Sequence, residues 1–419
     1  MTLRGVPARL VHNERVLYTE VIFQAISDAG AMAFLSVFLV RLGASNWMVG
    51  LFSSLPALLT MISVMPAAAF VKRRRNLVGT VNSTRLMFRA VVALFALLPF
   101  FPVTIAPLIM VVGYSLACIP SAALNVAFTT LLGQATDPVR RPRLLSTRLA
   151  SHGTVATCVS FLVGQWLDWA HYPLNYQLLF VSALVAGVGS VLVLSHFKQP
   201  DAPMTKLPPR ARVGLAEMRA LFTRAPAFRD FMIAALFFRI AMAMPNSLYA
   251  IYRVRTLGAS DAWLGILMMV ERFLNVVAYF ALSRLLTNPK YRRHLWLTCM
   301  AIALYPLTMA LARTPEMLII PSMVTGIFGA GMNIYLTDTL LQVSPEDDRP
   351  TYVAANSFLA NVAAFVGPMI GTALAGVTGI PLALGAIAGL RILSSLGFRR
   401  LAGAGEKQAE EANQALQAD

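Results

Sequence analysis

The 419-residue sequence has few charged residues: 13% are Asp, Glu, Lys or Arg, whereas 57% are hydrophobic. In a soluble globular domain roughly a quarter of the residues are charged. The apolar residues form runs of about 20, the length of helix that crosses a bilayer. Lipid cannot bond to the backbone, so each run must be a helix. The composition excludes a soluble domain and predicts an all-α polytopic membrane protein.

Cysteine and nucleotide-binding motifs are also scarce. The three cysteines, Cys118, Cys158 and Cys299, fall within apolar runs and lack the paired spacing of a metal site or disulfide framework. No Gly-x-x-x-x-Gly-Lys phosphate loop occurs, and we find no nucleophile-base motif. We therefore expect no metal, no cofactor and no enzymatic activity.

The chain has a net charge of +16, and its Lys and Arg residues are unevenly distributed. If consecutive spans cross the membrane in opposite directions, most Lys and Arg lie in loops on one side of the membrane. The loops of the opposite side contain only Arg41, Arg253, Arg255 and Arg313. This is the positive-inside pattern. It predicts an inner (plasma) membrane protein with both termini in the cytoplasm, and it makes nucleic-acid binding an unnecessary explanation of the charge.

Two stretches of the sequence occur twice. Residues 125–142 recur at 333–350 with six identities, and the Leu-Gly-Ala-Ser of residues 42–45 recurs at 257–260. The shifts are 208 and 215 residues, so the chain consists of two copies of one unit. We predict six spans in each copy, twelve in all.

The predicted domains follow from this duplication. Residues 1–197 form an N-terminal six-helix bundle, 198–229 a cytoplasmic linker, 230–401 a C-terminal six-helix bundle and 402–419 a flexible cytoplasmic tail. In the linker, Leu215, Met218, Leu221 and Phe222 share one helical face. This pattern predicts a short amphipathic helix lying on the membrane surface.

Two parallel six-helix copies joined by a basic linker resemble the major facilitator superfamily (MFS) of secondary transporters. Residues 72–75, Lys-Arg-Arg-Arg, keep the basic cluster of the family motif between the second and third helices, but its glycine and aspartate are missing. Residues 367–371, Gly-Pro-Met-Ile-Gly, match the Gly-Pro-x-x-Gly motif of drug-proton antiporters, but in the eleventh helix instead of the fifth. The resemblance implies a cavity between the halves, lined by helices one, four, seven and ten.

Three residues within the spans are candidates for proton coupling: Asp28, Glu271 and His152. Asp28 lies half-way along the first span, where burial disfavours its charged form and favours proton uptake. The alternative is a structural acid paired with an arginine of another helix. His152 is a candidate because histidine is the residue type whose charge changes near neutral pH, although a hydrogen-bonded structural histidine is the commoner case.

Four polar residues are candidates for lining the substrate cavity: Gln24, Asn125, Arg239 and Asn333. Arg239 corresponds to Gln24 under the 215-residue shift, so we expect it at cavity depth. It would bind an anionic group or pair with Asp28 or Glu271. The asparagines, which are repeat mates, would bond to substrate or tie helices together.

The remaining intramembrane and loop charges are candidates for gates or ion pairs. They are Arg89, Arg141, Arg272, Arg349 and Asp338. Arg141 and Arg349 sit where the family keeps charges between helices four and five and between ten and eleven. Arg85 and Arg391 lie nearer the cytoplasmic ends of their spans, and we expect them to reach the interface by snorkelling.

Together these features predict a monomeric secondary transporter that works by alternating access, with protons, the bilayer and a small-molecule substrate as its partners. We favour proton-coupled export of a small amphiphilic organic compound. The alternative within transport is an uptake permease that works by symport or facilitated diffusion on a small organic solute, with Arg239 binding the anionic group if the solute has one. A further alternative is a non-transporting scaffold, receptor or lipid-moving protein on the same fold.

Overall fold

The computed structural model describes residues 7–136, 140–199, 215–285, 294–345 and 349–418, without the side chains of 142, 215–219, 283, 349–350 and 400–418. In these ranges every regular element is a helix, and twelve of the helices occupy the twelve predicted spans. Those helices are α1 Ala8–Arg41, α2 Asn46–Lys72, α3 Leu77–Phe100, α4 Ala106–Ala135, α5 Arg141–Trp169, α6 Leu174–Ser195, α7 Pro226–Thr256, α8 Asp261–Leu285, α9 Leu297–Leu311, α10 Pro315–Val343, α11 Arg349–Thr378 and α12 Ile380–Ala418.

Ten of the described helices are long and apolar enough to cross a bilayer. The other two are α5, whose first half is rich in polar residues, and α9, which has 15 residues. The predicted all-α membrane fold is confirmed.

The repeated Leu-Gly-Ala-Ser stretch forms the same turn twice, between α1 and α2 and between α7 and α8. Gly43 and Gly258 have φ values of 83° and 65°, a left-handed conformation that favours glycine. The hydroxyls of Ser45 and Ser260 then accept hydrogen bonds from the backbone N–H three residues later, at 3.3 and 3.1 Å. Each serine thus caps the N-terminus of the next helix. The sequence echo encodes a helix stop and a helix start.

The chain divides into two compact units that differ from the predicted halves. Unit 1 comprises Met1–Leu207 and Ala250–Phe273, and unit 2 comprises Pro208–Tyr249 and Leu274–Asp419. Helices α7 and α8 therefore contribute to both units, whereas the sequence predicted a division at the linker. Unit 1 has an apolar core around Leu17, Val81 and Leu131, and unit 2 has a core around Phe231, Phe238 and Phe398.

Two segments outside the predicted spans are helical. The linker helix Leu215–Arg224 places Leu221, 3% exposed, in the apolar core of unit 2 rather than on a free membrane-facing surface. Helix α12 continues to Ala418, where the sequence predicted a flexible tail. The tail is rich in Ala, Glu and Gln, which are strong helix formers.

Candidate functional site

Three helices of unit 1 present polar side chains four residues apart, on one helical face each. We call this set the polar ladder: Glu20, Gln24 and Asp28 of α1, Arg85 and Arg89 of α3, and Arg148 and His152 of α5. It forms two tiers, one around each carboxylate.

The Glu20 tier is closed to solvent. The Glu20 carboxylate is fully buried and accepts hydrogen bonds from Arg85 Nη1 at 2.6 Å, Arg148 Nη1 at 2.8 Å and Ser190 Oγ at 3.1 Å. The two guanidinium groups also lie over the Phe128 ring, at 5.4 and 5.1 Å from its centroid. Both oxygens of the carboxylate are satisfied, so this tier ties α1 to α3, α5 and α6.

The prediction that Arg85 snorkels to the interface is wrong. Its side chain is 7% exposed because Glu20 and Ser190 hold it inside unit 1. Sequence reasoning also missed Glu20 and Arg148 as site residues. The signal was present in the matched four-residue spacing of Arg85 to Arg89 and of Arg148 to His152, and in the eight-residue spacing of Glu20 to Asp28.

The Asp28 tier is partly open. Arg89 Nη2 donates to Asp28 Oδ1 at 2.9 Å, and His152 Nε2 lies 3.4 Å from Asp28 Oδ2. The side chains of Asp28 and His152 are 33% and 28% exposed, whereas Arg89 is 8% exposed. Asp28 also begins a π-helical turn, Asp28–Met32, a distortion often found at functional sites. The structure thus brings together three residues that the sequence singled out separately.

Three more candidates lie beside this tier in unit 1. Gln24 Oε1 is 3.5 Å from Arg148 Nη2, a long contact between the tiers. The charges of Glu271 and Asp28 both act on Arg272, and Glu271 is also within the electrostatic range of Arg253. The open tier thus has a further charged neighbour on α8, Arg272.

Arg239, in unit 2, has an amide as its partner. Its Nη2 donates to Asn356 Oδ1 at 3.2 Å, and its buried Nε has no protein acceptor. In the described part of the chain no carboxylate oxygen lies within 4 Å of this guanidinium. Its positive charge therefore has no carboxylate counter-ion in the part of the chain that the structure describes.

The repeat mates Asn125 and Asn333 are both exposed, each in its own unit. The same holds one turn later for Thr129 and Thr337. An amide in the middle of an apolar span is costly against lipid, which favours placement along a water-filled cavity. Each of α4 and α10 therefore presents an exposed polar face within its span.

The other gate candidates have mixed outcomes. Arg141 Nη2 donates to the Gly133 carbonyl near the end of α4, at 3.0 Å, while the neighbouring Arg140 pairs with Glu14 at 2.7 Å. Asp338 accepts a hydrogen bond from Gln342. The side chain of Arg349 lies outside the described residues.

The two Leu-Gly-Ala-Ser turns are joined within unit 1 by a pair of arginines. Arg41 donates to Asp261 Oδ1 at 2.7 Å and to the Ala259 carbonyl at 3.4 Å. Tyr176 donates to the other oxygen of Asp261, at 2.9 Å. Arg41 thus links the end of α1 to the turn before α8.

The second arginine makes the reciprocal contacts. Arg255 donates to Asn46 Oδ1 at 3.0 Å and to the Ala44 carbonyl. Under the 215-residue shift, Ala44 and Asn46 correspond to Ala259 and Asp261. Each turn therefore offers the same backbone carbonyl and the same side-chain position to an arginine of the other copy. We call these contacts the arginine clasp.

Comparison with known proteins places this geometry in a family. The family model described as Major Facilitator Superfamily matches residues 17–316 and 290–417. No curated protein sequence matches the chain. Solved structures match the chain by their fold, at low sequence identity.

One similar structure is a bacterial homologue of the human lysosomal transporter Spinster, inward-facing and unoccupied, with 12% identity, a TM-score of 0.67, and coverage of 95% of this chain and 98% of that one. A mutant of the nucleoside transporter NupG has 14% identity and a TM-score of 0.68, with coverage of 93% and 99%. A mutant of the peptide transporter POT in complex with sulfate has 15% identity and a TM-score of 0.69, with coverage of 97% and 96%. At these identities the likeness establishes the fold alone, and the family model carries the assignment. The chain therefore belongs to the Major Facilitator Superfamily, and it is a membrane transporter rather than an enzyme.

Proposed function

We propose that the protein moves a small organic solute by proton-coupled alternating access, with Asp28 as the group that binds the transported proton. The observation that carries this proposal is the Asp28 tier: a partly exposed carboxylate in a membrane span, held by Arg89 and next to His152. The fully buried Glu20 is a poor proton carrier, because its oxygens are occupied by two arginines and a serine.

Protonation of Asp28 would change its contacts directly. A neutral carboxyl group binds Arg89 more weakly than a carboxylate does, so proton uptake frees a buried guanidinium. His152 Nε2 lies 3.4 Å from Asp28 Oδ2, close enough to deliver or accept that proton. Binding of a proton would thus alter the packing of α1 against α3 and α5.

The solute that fits best is a small amphiphilic compound with an anionic group. Within unit 2, Arg239 supplies a positive charge without a carboxylate partner among the described residues, and Asn333 supplies an amide on an exposed face. The direction of transport, for which we favour export, remains a prediction from the sequence.

The experiment that tests this function is solute flux into and out of proteoliposomes, with and without an imposed pH gradient. A panel of neutral, cationic and anionic amphiphiles should give gradient-driven accumulation of anionic members only. Flux that is the same with and without the gradient would contradict proton coupling. A preference for cationic solutes would contradict the role of Arg239.

Replacing Arg239 with glutamine should weaken the binding of anionic solutes. A hydrogen bond to a charged group is worth about 1.5–3 kcal/mol, so we expect the KM for anionic solutes to rise by roughly tenfold or more. The matched control is Arg229→Gln on the same helix, since Arg229 is exposed and paired with Asp230. An equal rise in KM for both variants would argue against a binding role.

We further propose that the arginine clasp is a gate, on the side of the membrane that the charge pattern predicts to be outside. Ala44 is 1% exposed beneath it, so an Ala44→Cys variant in a Cys158→Ser background should react slowly with a membrane-impermeant thiol reagent. Loss of a partly exposed ion pair costs about 1 kcal/mol, and adding Arg41→Ala should speed labelling roughly fivefold.

The control for the clasp is Arg313→Ala. Arg313 is an exposed arginine predicted to lie on the same side but outside the clasp. If Arg313→Ala accelerates labelling of Cys at position 44 as much as Arg41→Ala does, the effect is one of general surface charge and the gate assignment fails.

A further inference from the structure

Among the described residues, Arg391 of α12 is the largest side chain that is almost fully buried, at 1% exposure. The sequence predicted that it snorkels to the interface, and that prediction is wrong. Among the described residues no carboxylate lies within 4 Å of it. A buried charge without a counter-ion is costly unless hydrogen bonds satisfy it. Its acceptors therefore explain why it is there.

The guanidinium bonds almost entirely to backbone carbonyls of two other helices of unit 2. Nε donates to Ala241 at 3.1 Å and Nη2 to Met242 at 3.2 Å, both in α7. Nη1 donates to Ile302 of α9 at 3.2 Å, and Nη2 also donates to the Tyr249 hydroxyl at 3.2 Å. One side chain thus joins α7, α9 and α12.

Prolines explain why these carbonyls accept from a side chain. In an α-helix a carbonyl accepts from the N–H four residues later. Four residues after Ala241 is Pro245, and four residues after Ile302 is Pro306, neither of which has an N–H. Ile302 retains one shorter-range bond from Tyr305 N–H at 3.2 Å, which leaves its second lone pair. Arg391 donates to both carbonyls that a proline deprives of its usual partner.

Helix α7 is interrupted at Met244 and Pro245, between Pro226–Ala243 and Asn246–Ile251, and the Gly-Pro-Met-Ile-Gly stretch of α11 packs against this break. A Cβ on Gly371 would lie 1.9 Å from the Met244 carbonyl oxygen, and a Cβ on Gly367 would lie 2.6 Å from Ala243 Cβ. Only glycine permits this approach of one helix backbone to the other. In this chain the motif therefore supports the bend at Met244 and Pro245.

The break also lies close to the point where α7 changes unit. The chain passes from unit 2 to unit 1 between Tyr249 and Ala250, one turn after Pro245. Arg239 precedes the break and Arg255 of the clasp follows it. A bend there changes the direction of one segment of α7 relative to the other.

We propose that Arg391 is the fixed pin of a hinge in α7: it satisfies the carbonyls freed by Pro245 and Pro306 and holds the segment that carries Arg239 while the helix bends beyond it. The effect of this hinge on transport rests on the proposed function. The bonding of Arg391 to the carbonyls freed by Pro245 and Pro306, which we call the clamp, does not rest on it and can be tested without a solute.

The test is a double-mutant cycle on thermal unfolding of the full-length protein in detergent. In the native background Arg391→Met should lower the unfolding midpoint by roughly 5 °C or more. In a Pro245→Ala, Pro306→Ala background, where both N–H donors are restored, the same substitution should lower it by less than half as much. Arg399→Met, an exposed arginine of the same helix, should leave the midpoint unchanged in both.

Equal losses in the two backgrounds would overturn the clamp. If Arg391→Met does not fold in the native background, recovery of folded protein in the alanine background supports the clamp, and failure there too contradicts it. Once a transported solute is known, the stable Pro245→Ala, Pro306→Ala variant should transport it roughly tenfold more slowly than the native protein. Unchanged transport would contradict the proposal that α7 bends as a hinge, but not the proposal that Arg391 binds the freed carbonyls. Because that measurement uses a solute that the native protein transports, its outcome is distinct from a failure of the transport proposal.

Discussion

Replacing Glu20 with alanine is expected to destabilise the protein by about 3–5 kcal/mol, because removal of one partner of a buried ion pair leaves uncompensated charge. Here two guanidinium groups, those of Arg85 and Arg148, would remain inside unit 1 with neutral acceptors in place of the carboxylate: the Ser190 hydroxyl, the Leu17 carbonyl and the more distant Gln24 amide. The expected result is a fall of roughly 10 °C in the unfolding midpoint, measured with a thiol-independent dye or by scattering.

Two control variants test whether the loss of stability comes from unpaired buried charge. Glu316→Ala removes an exposed acid and should have no measurable effect. The triple variant Glu20→Met, Arg85→Met, Arg148→Met replaces the whole cluster with apolar side chains and should recover most of the lost stability, since a buried ion network often contributes little in net terms. If the triple variant is as unstable as Glu20→Ala, the loss does not come from stranded charge.

The second large effect is functional: Asp28→Asn should abolish gradient-driven accumulation of solute while the protein remains folded. Asparagine has nearly the same shape as protonated aspartic acid but cannot release a proton. It also accepts a weaker hydrogen bond from Arg89 than the carboxylate does. Exchange of solute down its own gradient should persist, because that process needs no proton release.

The control for this variant is Asp230→Asn, since Asp230 is an exposed acid paired with its neighbour Arg229. It should retain accumulation at the native level. Full accumulation by Asp28→Asn would show that another group carries the proton, and Glu271→Gln would then be the next variant to measure. Loss of both accumulation and exchange would instead indicate a structural role for Asp28.

The sequence predicted the elements well because hydrophobic length and turn chemistry are local properties. The twelve helices follow from apolar runs that must satisfy their own backbone in lipid. The Leu-Gly-Ala-Ser echo follows from a left-handed glycine and a capping serine, which are needed wherever that turn is made. Neither depends on which helix packs beside which.

The partners of the charged residues could not be predicted in the same way. Asp28, Arg89 and His152 were each recognisable as polar groups inside spans, but their meeting depends on the rotation of three helices. For the same reason Glu20 went unnoticed, although it is the more deeply buried acid. The position of Arg85 and Arg391 near the ends of their spans predicted snorkelling. Their side chains instead point into the protein interior, because they lie on the helix faces that pack against other helices.

The duplicated Leu-Gly-Ala-Ser turns also supply the acceptors of the arginine clasp. The four arginines that depart from the positive-inside pattern include Arg41 and Arg255, which join the two copies of the repeated turn. They occupy neighbouring rather than equivalent positions under the 215-residue shift, so no alignment of the copies would have paired them. The acceptors, in contrast, are equivalent.

Proton movement that accompanies solute movement tests the central claim most directly. Proteoliposomes containing an internal pH dye and no imposed gradient should change internal pH when a transported solute is added. The account predicts that the native protein and Asp230→Asn produce this pH change, and that Asp28→Asn moves the solute without it. A solute flux through the native protein with no accompanying pH change would contradict the account.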